Sequence, residues 1–307
     1  MKKYVFLILI SFIWGSQFYF AEKVLDEVAP LTLAAIRSIV GAIALSIVAA
    51  LIKNPSHKKR KVARSPKLYL LYVSIALLEA VIPFFLVAWG QQRVSSSIAS
   101  ILIGTTPIWT ILIIGAVFRK KLSLYQTTGV VLGFLGIVFV FSPSLGTSLF
   151  SNGLAGFIAL LIATASYAGA LVLMEYLPSE ATVASMRNVL CIASVILIPI
   201  TFIIEDPTLA TLSMIDVIDL LILGVFQTGL VYWFYNLLIH MEGAVFASFS
   251  NYFIPLIGVF LGSLFLNESV SIYMIIGLFI IIFSIIISRK TKSCNRQDKL
   301  ALTQFWW

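Results

Sequence analysis

Ala99-Ser-Ile-Leu-Ile-Gly-Thr-Thr-Pro107 returns 148 residues later as Ala247-Ser-Phe-Ser-Asn-Tyr-Phe-Ile-Pro255, with the Ala-Ser pair and the proline in the same places. The same shift aligns the pattern Ser-x-Tyr-x-x-x-Gly at residues 123–129 with its copy at residues 271–277, without a gap. Both copies are surrounded by apolar residues, as in helices that cross a membrane. The repeat therefore predicts a chain made of two related sets of membrane helices.

The composition is that of a membrane protein. Of the 307 residues, 60% are hydrophobic and 11% are charged, and the mean hydropathy is +1.05. A soluble domain averages about 25% charged residues, so this chain has too few to cover a water-facing surface. The composition excludes a soluble globular enzyme, a disordered chain and a nucleic-acid binder. The two cysteines, Cys191 and Cys294, imply no disulfide framework.

Apolar runs long enough for a membrane helix cover nearly the whole sequence. A bilayer core needs about 20 apolar residues in a helix, and the alternation typical of membrane β-strands is absent. The first run follows Met1-Lys2-Lys3 and is interpreted as a retained helix rather than a secretory signal, because nine further runs follow it. The ten predicted spans are Tyr4 to Phe20, Leu31 to Ile52, Leu68 to Trp89, Ser95 to Phe118, Leu124 to Phe141, Asn152 to Met174, Thr182 to Ile204, Leu220 to Ile239, Val245 to Leu266 and Ile272 to Ser288.

The basic residues fall almost entirely on one side of these spans. Ten spans place both termini on that side, which takes 17 of the 21 Lys and Arg residues, whereas the other side takes Lys23 and Arg93. Under the positive-inside rule the protein lies in the cell membrane with its termini in the cytoplasm. The basic connection at residues 53–61 has a second interpretation, a patch for nucleic acid or anionic lipid. The positive-inside rule already explains the charge of this connection without a further assumption.

The second copy of the repeat is inverted, because the 148-residue shift crosses five helices, an odd number. The charges agree: Arg119-Lys120-Lys121 corresponds to Asn267-Glu268-Ser269, which carries no positive charge. We expect an all-α membrane protein with ten transmembrane helices as two inverted five-helix repeats, at residues 4–142 and 152–288, followed by a cytoplasmic tail at 289–307. Inverted repeats with a site at their interface are typical of secondary transporters.

Several residues give the sequence a resemblance to the EamA family of the drug/metabolite transporter superfamily. They are Trp14-Gly15-Ser16 in the first span, Pro30 and Arg37 in the second, and the Ala-Ser and proline pattern of the fourth and ninth. The family commonly has a Gly-Glu pair after both of these last spans, but here Glu268 follows Asn267 and the first half has Arg119-Lys120. The resemblance implies a central cavity lined by spans one, three, four, six, eight and nine, with five and ten at the periphery.

Glu79 is the most informative polar residue inside the spans. It lies near the centre of the third span, and the 148-residue shift places Gln227 opposite it in the eighth. Placing a charged side chain in hydrocarbon costs about 2.5–3.5 kcal/mol on insertion scales. A charged residue inside a span therefore indicates a structural or functional role. We expect Glu79 to bind a substrate amino group or a proton. The alternative is a structural hydrogen bond to Gln227 or to a helix backbone.

Further candidates for a substrate-binding cavity share helical spacing with other polar or aromatic residues. Each has an alternative interpretation as packing or as a hydrogen bond between membrane helices. Arg37 is either a ligand for an anionic group or a residue held by a carbonyl or by one of the nearby acids in residues 22–27. The candidates besides Glu79 and Gln227 are Trp14, Ser16, Gln17, Arg37, Thr228, Tyr235, Ser248, Asn251 and Tyr252.

Prolines and glycines in the spans point to mechanism and packing. Pro107 and Pro255 each remove a backbone hydrogen bond, so we expect the fourth and ninth helices to bend at equivalent depths and to act as hinges, although packing alone can also require such bends. The glycines at residues 129, 133 and 136 allow close approach of helices. They predict a packing face within the chain, with a homodimer contact as the alternative.

These features predict a secondary-active transporter, a permease or exporter of small metabolites, with amino acids or related amines as the substrate class and alternating access as the mechanism. The expected partners are a small-molecule solute, the lipid bilayer and, as a candidate coupling ion, the proton. The chain is expected to be a monomer or weak homodimer, and no nucleic acid, metal, cofactor or enzymatic activity is predicted, since no catalytic or metal-binding spacing occurs. The alternative is a non-transporting membrane protein, an intramembrane lipid enzyme or an accessory subunit.

Overall fold

The computed structural model describes residues 2–52, 65–117, 123–141, 152–178, 182–207 and 212–288. Within these residues all regular structure is helical, as the sequence predicts. The predicted tail at residues 289–307 and two predicted basic connections, at residues 53–64 and 118–122, lie outside the described residues.

The described helices follow the ten predicted spans. Seven of these helices are long and apolar enough to cross a membrane, and three shorter apolar helices complete the set. In chain order they are α1 (Lys2–Val24), α2 (Pro30–Leu51), α3 (Pro66–Gln91), α4 (Ser96–Val117), α5 (Leu124–Phe141), α6 (Asn152–Met174), α7 (Thr182–Ile204), α8 (Met214–Glu242), α9 (Ala244–Ala247, a 3₁₀ turn at Ser248–Tyr252, then Ile254–Phe265) and α10 (Ile272–Ser288).

The helices pack in pairs that follow the 148-residue shift. Three helices of the first half each contact their own counterpart in the second half: α2 packs on α7, α4 on α9 and α5 on α10. In addition, α1 packs against α8 and α9, and reciprocally α6 packs against α3 and α4. Two pseudo-symmetric halves that enclose a common interface produce such a pattern.

Four helices lose regular α-helical hydrogen bonding near their middles. In α3 a π-helical turn covers Leu77–Val81, and in α8 a second one covers Val225–Leu230. The two turns are repeat-related, since they begin 148 residues apart. In α4 the helix is interrupted between Ile103 and Thr106, and in α9 the 3₁₀ turn at Ser248–Tyr252 occupies the corresponding position. π-Turns are rare and occur frequently at functional sites.

The backbone carbonyls at the π-turns are satisfied by side chains. Ser166 on α6 donates its hydroxyl to the Leu78 carbonyl at 2.7 Å, and Tyr232 on α8 donates to the Glu79 carbonyl at 3.2 Å. In α8 itself, the Thr228 hydroxyl donates to the Leu223 carbonyl at 2.8 Å. Because an unsatisfied carbonyl in a membrane costs several kcal/mol, by general estimates, these contacts stabilise the irregular backbone.

The two hinge candidates lie just after the interruptions. Pro107 is the second residue of Thr106–Val117, and Pro255 is the second residue of Ile254–Phe265. A proline in the first turn of a helix loses no helical hydrogen bond. Each proline therefore lies at the start of a helical segment rather than inside a continuous helix, and its role as a hinge stays a prediction. A Cβ on Gly104 would lie 2.6 Å from Pro255 Cγ, so the interruptions of α4 and α9 are in direct contact.

The glycine face of α5 packs within the chain. A Cβ on Gly136 would lie 2.6 Å from Ile281 Cγ1 on α10, and a Cβ on Gly277 of α10 would lie 2.5 Å from Val140 Cγ2 on α5. Gly133 is equally close to Ile108 of α4. These contacts agree with the prediction of a packing face inside the chain.

Two carboxylates cap the helices that start at one end of the bundle. Glu205, just after α7, accepts hydrogen bonds from the backbone N–H groups of Leu31 and Thr32 at 2.9 and 2.8 Å. Glu268, just after α9, accepts from the N–H groups of Ser96 and Ser97 at 2.7 and 3.0 Å and from both serine hydroxyls. A carboxylate satisfies the free donors of a helix N-terminus and its positive dipole end. Each cap ties a helix of the first half to its counterpart in the second.

Candidate functional site

A small cavity, with a volume of about 30 Å³, lies where the interruptions of the helices meet. Its lining comes from α1, α3, α4, α6, α8 and α9, the helices that the resemblance implies. Nine of its ten lining side chains are buried, and Tyr167 is partly exposed. The lining residues are Trp14, Gln17, Glu79, Ile103, Thr106, Tyr167, Tyr232, Tyr235, Asn251 and Ile254.

Glu79 provides the acidic group of the cavity. Its side chain is 2% exposed, and its Oε2 atom has no hydrogen-bond partner among the described residues. Gln227, the repeat-related residue, makes no described hydrogen bond to this carboxyl and instead donates from Nε2 to Ser16 Oγ at 3.1 Å. Burying a carboxyl without a partner costs free energy. Glu79 therefore favours the binding of a hydrogen-bond donor or a cation that enters the cavity.

Aromatic rings form the wall that faces this carboxyl. Trp14 packs edge-on against Tyr235, with ring centroids 4.6 Å apart, and against Tyr232, with centroids 5.8 Å apart. Tyr232 in turn stacks on Phe84 at 6.1 Å. Aromatic faces attract organic cations through their quadrupole, and these rings also present a flat apolar surface. The wall suits an amine that carries an apolar body.

Arg37 lies behind the cavity wall. Its Nη2 donates to Gln17 Oε1 at 3.0 Å, its Nε donates to Thr228 Oγ1 at 3.2 Å, and its guanidinium lies 4.4 Å from the centroid of the Phe84 ring. The side chain is 3% exposed and forms no ion pair with any described residue. Its neighbours are therefore α1 and α8 rather than the acids at residues 22–27. Arg37 does not line the cavity itself, but its hydrogen bond holds Gln17, which does.

The predicted candidates divide into two layers. Trp14, Gln17, Glu79, Tyr235 and Asn251 line the cavity itself. A second layer behind them is formed by the hydrogen-bonded residues Ser16, Arg37, Gln227 and Thr228. Ser248 is buried in the 3₁₀ turn of α9 but is not on the wall. The side chain of Tyr252 lies outside the described ones.

Two tyrosines of the wall were not among the predicted residues. Tyr232 precedes Tyr235 by three residues on α8, so the two share a helix face. Helical spacing could therefore have predicted Tyr232 as a cavity residue. Tyr167 stands in α6 among small residues, where the small hydroxyls of Thr164 and Ser166 form no conspicuous polar stripe. Only the packing of α6 against α3 and α4 brings it to the cavity.

Comparisons with known proteins agree with this fold. The model of the EamA-like transporter family matches residues 1–142 and 154–289. The chain is 26% identical over 290 residues to "Uncharacterized transporter YoaV" of Bacillus subtilis (strain 168), covering 94% of this chain and 96% of that protein. It is 25% identical over 280 residues to "WAT1-related protein At3g02690, chloroplastic" of Arabidopsis thaliana, covering 88% and 66%. A solved structure described as "Crystal structure of protein" superposes with a TM-score of 0.66 at 14% identity, covering 94% and 96%, a likeness of fold alone.

Proposed function

The chain belongs to the EamA-like transporter family of the drug/metabolite transporter superfamily, and on this basis we propose that it moves amino acids or related amines across the membrane by alternating access. Membership makes it a multi-pass membrane transporter. The substrate class, the secondary-active mechanism and the location in the cell membrane with cytoplasmic termini are the parts proposed.

The substrate class rests on Glu79. An unpaired carboxyl oxygen in a buried aromatic cavity attracts a substrate ammonium group, which donates up to three hydrogen bonds. The faces of Trp14 and Tyr235 accept the apolar part of the same molecule. A proton is the second candidate ligand for this carboxyl. If proton and amine compete for the same oxygen, the movement of one across the membrane is coupled to the movement of the other.

The carboxylate end of an amino acid requires a different partner. Gln17 has an amide NH₂ group that can donate to a carboxylate, while its Oε1 atom is held by Arg37. The positive charge of Arg37, which no described acid neutralises, lies directly behind it. Glu79 on α3 and Gln17 on α1, with Arg37 of α2 behind it, thus offer opposite polarity to one cavity, which suits a zwitterion.

Alternating access is supported by the position of the helix interruptions. The π-turn of α3 contains Glu79, and the interruptions of α4 and α9 have the lining residues Ile103, Asn251 and Ile254 within them or at their edges. The wall of the cavity is therefore built at the points where the backbone can change direction with few regular hydrogen bonds to break. Opening one end requires the loss of the caps made by Glu205 and Glu268.

A thermal-shift screen of the purified protein, followed by flux into proteoliposomes, tests the proposal. The panel contains amino acids, polyamines, nucleosides and organic acids. A ligand present at 100 times its Kd stabilises a protein by about 2.7 kcal/mol, which raises Tm by about 4 °C for a chain of this size. We expect shifts and flux for amino acids or amines. Shifts confined to nucleosides or organic acids would contradict the substrate class, and impermeable liposomes would contradict transport of the tested compounds.

A further inference from the structure

A second recess lies between the first turns of α3 and the second and third turns of α7. It has a volume of about 620 Å³, opens to the outside of the bundle, and shares no lining residue with the Glu79 cavity. It is called the α3–α7 groove below. Its walls are formed by Ser65, Pro66, Leu68, Tyr69, Tyr72, Asn188, Cys191 and Ile192.

The groove has an apolar body and a polar floor. Leu68, Tyr69 and Ile192 supply apolar walls, and Tyr69 is 64% exposed. At the floor, the buried Tyr72 places its hydroxyl 3.2 Å from Ser185 Oγ. A recess that is apolar and open towards the surroundings of a membrane helix is suited to a hydrocarbon chain rather than to a polar solute.

Two basic residues, Lys67 and Arg187, lie next in the sequence to lining residues of the groove, near the starts of α3 and α7. Arg187 of α7 has one described hydrogen bond, from Nη2 to Asn188 Oδ1 at 3.1 Å, and forms no ion pair with a described residue. Lys67 is exposed in the first turn of α3. No described acidic side chain lines the groove.

We propose that the α3–α7 groove binds an anionic phospholipid such as phosphatidylglycerol, with the phosphate at Arg187 and Lys67 and one acyl chain along Leu68, Tyr69 and Ile192. Helices alternate in direction, so the starts of α3 and α7 lie on the side where α1 begins, which is the predicted cytoplasmic side. Anionic lipids give that leaflet its negative surface potential, and basic pockets between membrane helices bind their headgroups. The proposal uses none of the residues on which the proposed transport function rests.

Native mass spectrometry of the full chain in detergent tests the lipid preference. Phosphatidylglycerol and phosphatidylcholine with identical acyl chains are added at equal concentration. One basic residue near an anionic surface raises the affinity about fivefold. We therefore expect the protein to retain several-fold more phosphatidylglycerol than phosphatidylcholine. R187Q should reduce this preference about fivefold. R93Q, which removes the same charge at the opposite end of the bundle, should leave it unchanged.

A second readout locates the lipid. Cys191 is exposed and lines the groove, so in a C294S background its labelling by a maleimide should slow when phosphatidylglycerol is added. C191W keeps every charge but fills the groove, and it should lose the preference measured by mass spectrometry.

The outcomes separate a lipid site from weaker alternatives. Equal retention of the two lipids, or an unchanged preference in R187Q, would overturn the proposal. Protection of Cys191 by glycerol 3-phosphate as strong as that by phosphatidylglycerol would also overturn it, because the site would then bind a phosphate without an acyl chain. Transport failure in the Glu79 variants leaves these measurements unaffected.

Discussion

Glu79 and Gln227, 148 residues apart in the sequence, each lie within a π-helical turn at the same position of their helices, α3 and α8. The two side chains have different surroundings. Each has one oxygen without a described hydrogen-bond partner, but Gln227 is bonded through Nε2 to Ser16 of α1 and does not line the cavity, whereas Glu79 lines it. One member of the repeat-related pair thus links helices, and the other is available to a ligand.

The link between Gln227 and Ser16 can be measured by a double-mutant cycle. Hydrogen bonds between membrane helices average about 0.6 kcal/mol. We expect Q227L and S16A each to lower the free energy of unfolding by about 1 kcal/mol, and the double variant to lose less than their sum. Thermal or denaturant unfolding in one detergent gives the three values. Strict additivity would show that the two side chains are not coupled. S46A, whose hydroxyl bonds its own helix at Ala42, is the control.

Arg37 should act on substrate binding through Gln17. R37K keeps the charge but loses the planar fork that holds Gln17 and Thr228 at the same time. We expect KM for a transported amino acid to rise about tenfold, the equivalent of one lost contact of about 1.4 kcal/mol, with a smaller change in kcat. A change confined to kcat would contradict a role in positioning Gln17.

The cap made by Glu268 should hold one end of the bundle closed. Hydrogen bonds to a charged group contribute about 1.5–3 kcal/mol, and Glu268 bonds two residues of the first turn of α4. E268Q should lower Tm and speed the labelling of a cysteine at position 106 from that side, in a background without Cys191 and Cys294. E242Q breaks an exposed pair with Lys3, which is worth at most about 1 kcal/mol, and serves as control. Equal labelling rates in the two variants would exclude a gating role.

The contact between α5 and α10 should tolerate no added volume. A Cβ at Gly277 would lie 2.7 Å from the Gly136 carbonyl oxygen and 2.5 Å from Val140 Cγ2. G277V should therefore lower the free energy of unfolding by about 1–3 kcal/mol. The exposed neighbour Ile276 gives the control, I276V. A stable G277V protein would show that this packing is loose.

Much of the fold could be predicted from simple patterns in the sequence. Apolar runs mark the spans, and the 148-residue repeat alone is enough to pair Glu79 with Gln227. The π-turns are not visible in the sequence, because the polar residues in them, Glu79, Gln227 and Thr228, indicate no change in helical hydrogen bonding. The cap on α2 is equally hidden, since Glu205 lies 174 residues from Leu31 and no local motif joins them.

The cavity could be predicted in part. Polar residues at helical spacing on α1, α8 and α9 supplied Gln17, Tyr235 and Asn251. The same spacing could not distinguish the wall from the layer behind it, because a difference of one residue, such as Ser16 against Gln17, rotates a side chain by about 100° around the helix. That rotation depends on how α1 packs against α8, which only the three-dimensional arrangement determines.

Transport by E79Q most directly tests the central claim, that the Glu79 carboxyl binds the substrate amine or a proton. Once the thermal-shift screen has identified a transported solute, its flux into proteoliposomes is measured for the wild type, E79D and E79Q at several values between about pH 5 and pH 8. E79Q keeps the size of the side chain and removes its charge, so we predict at least about a tenfold lower flux across this range, with partial recovery in E79D. Wild-type flux in E79Q at every pH would contradict the account.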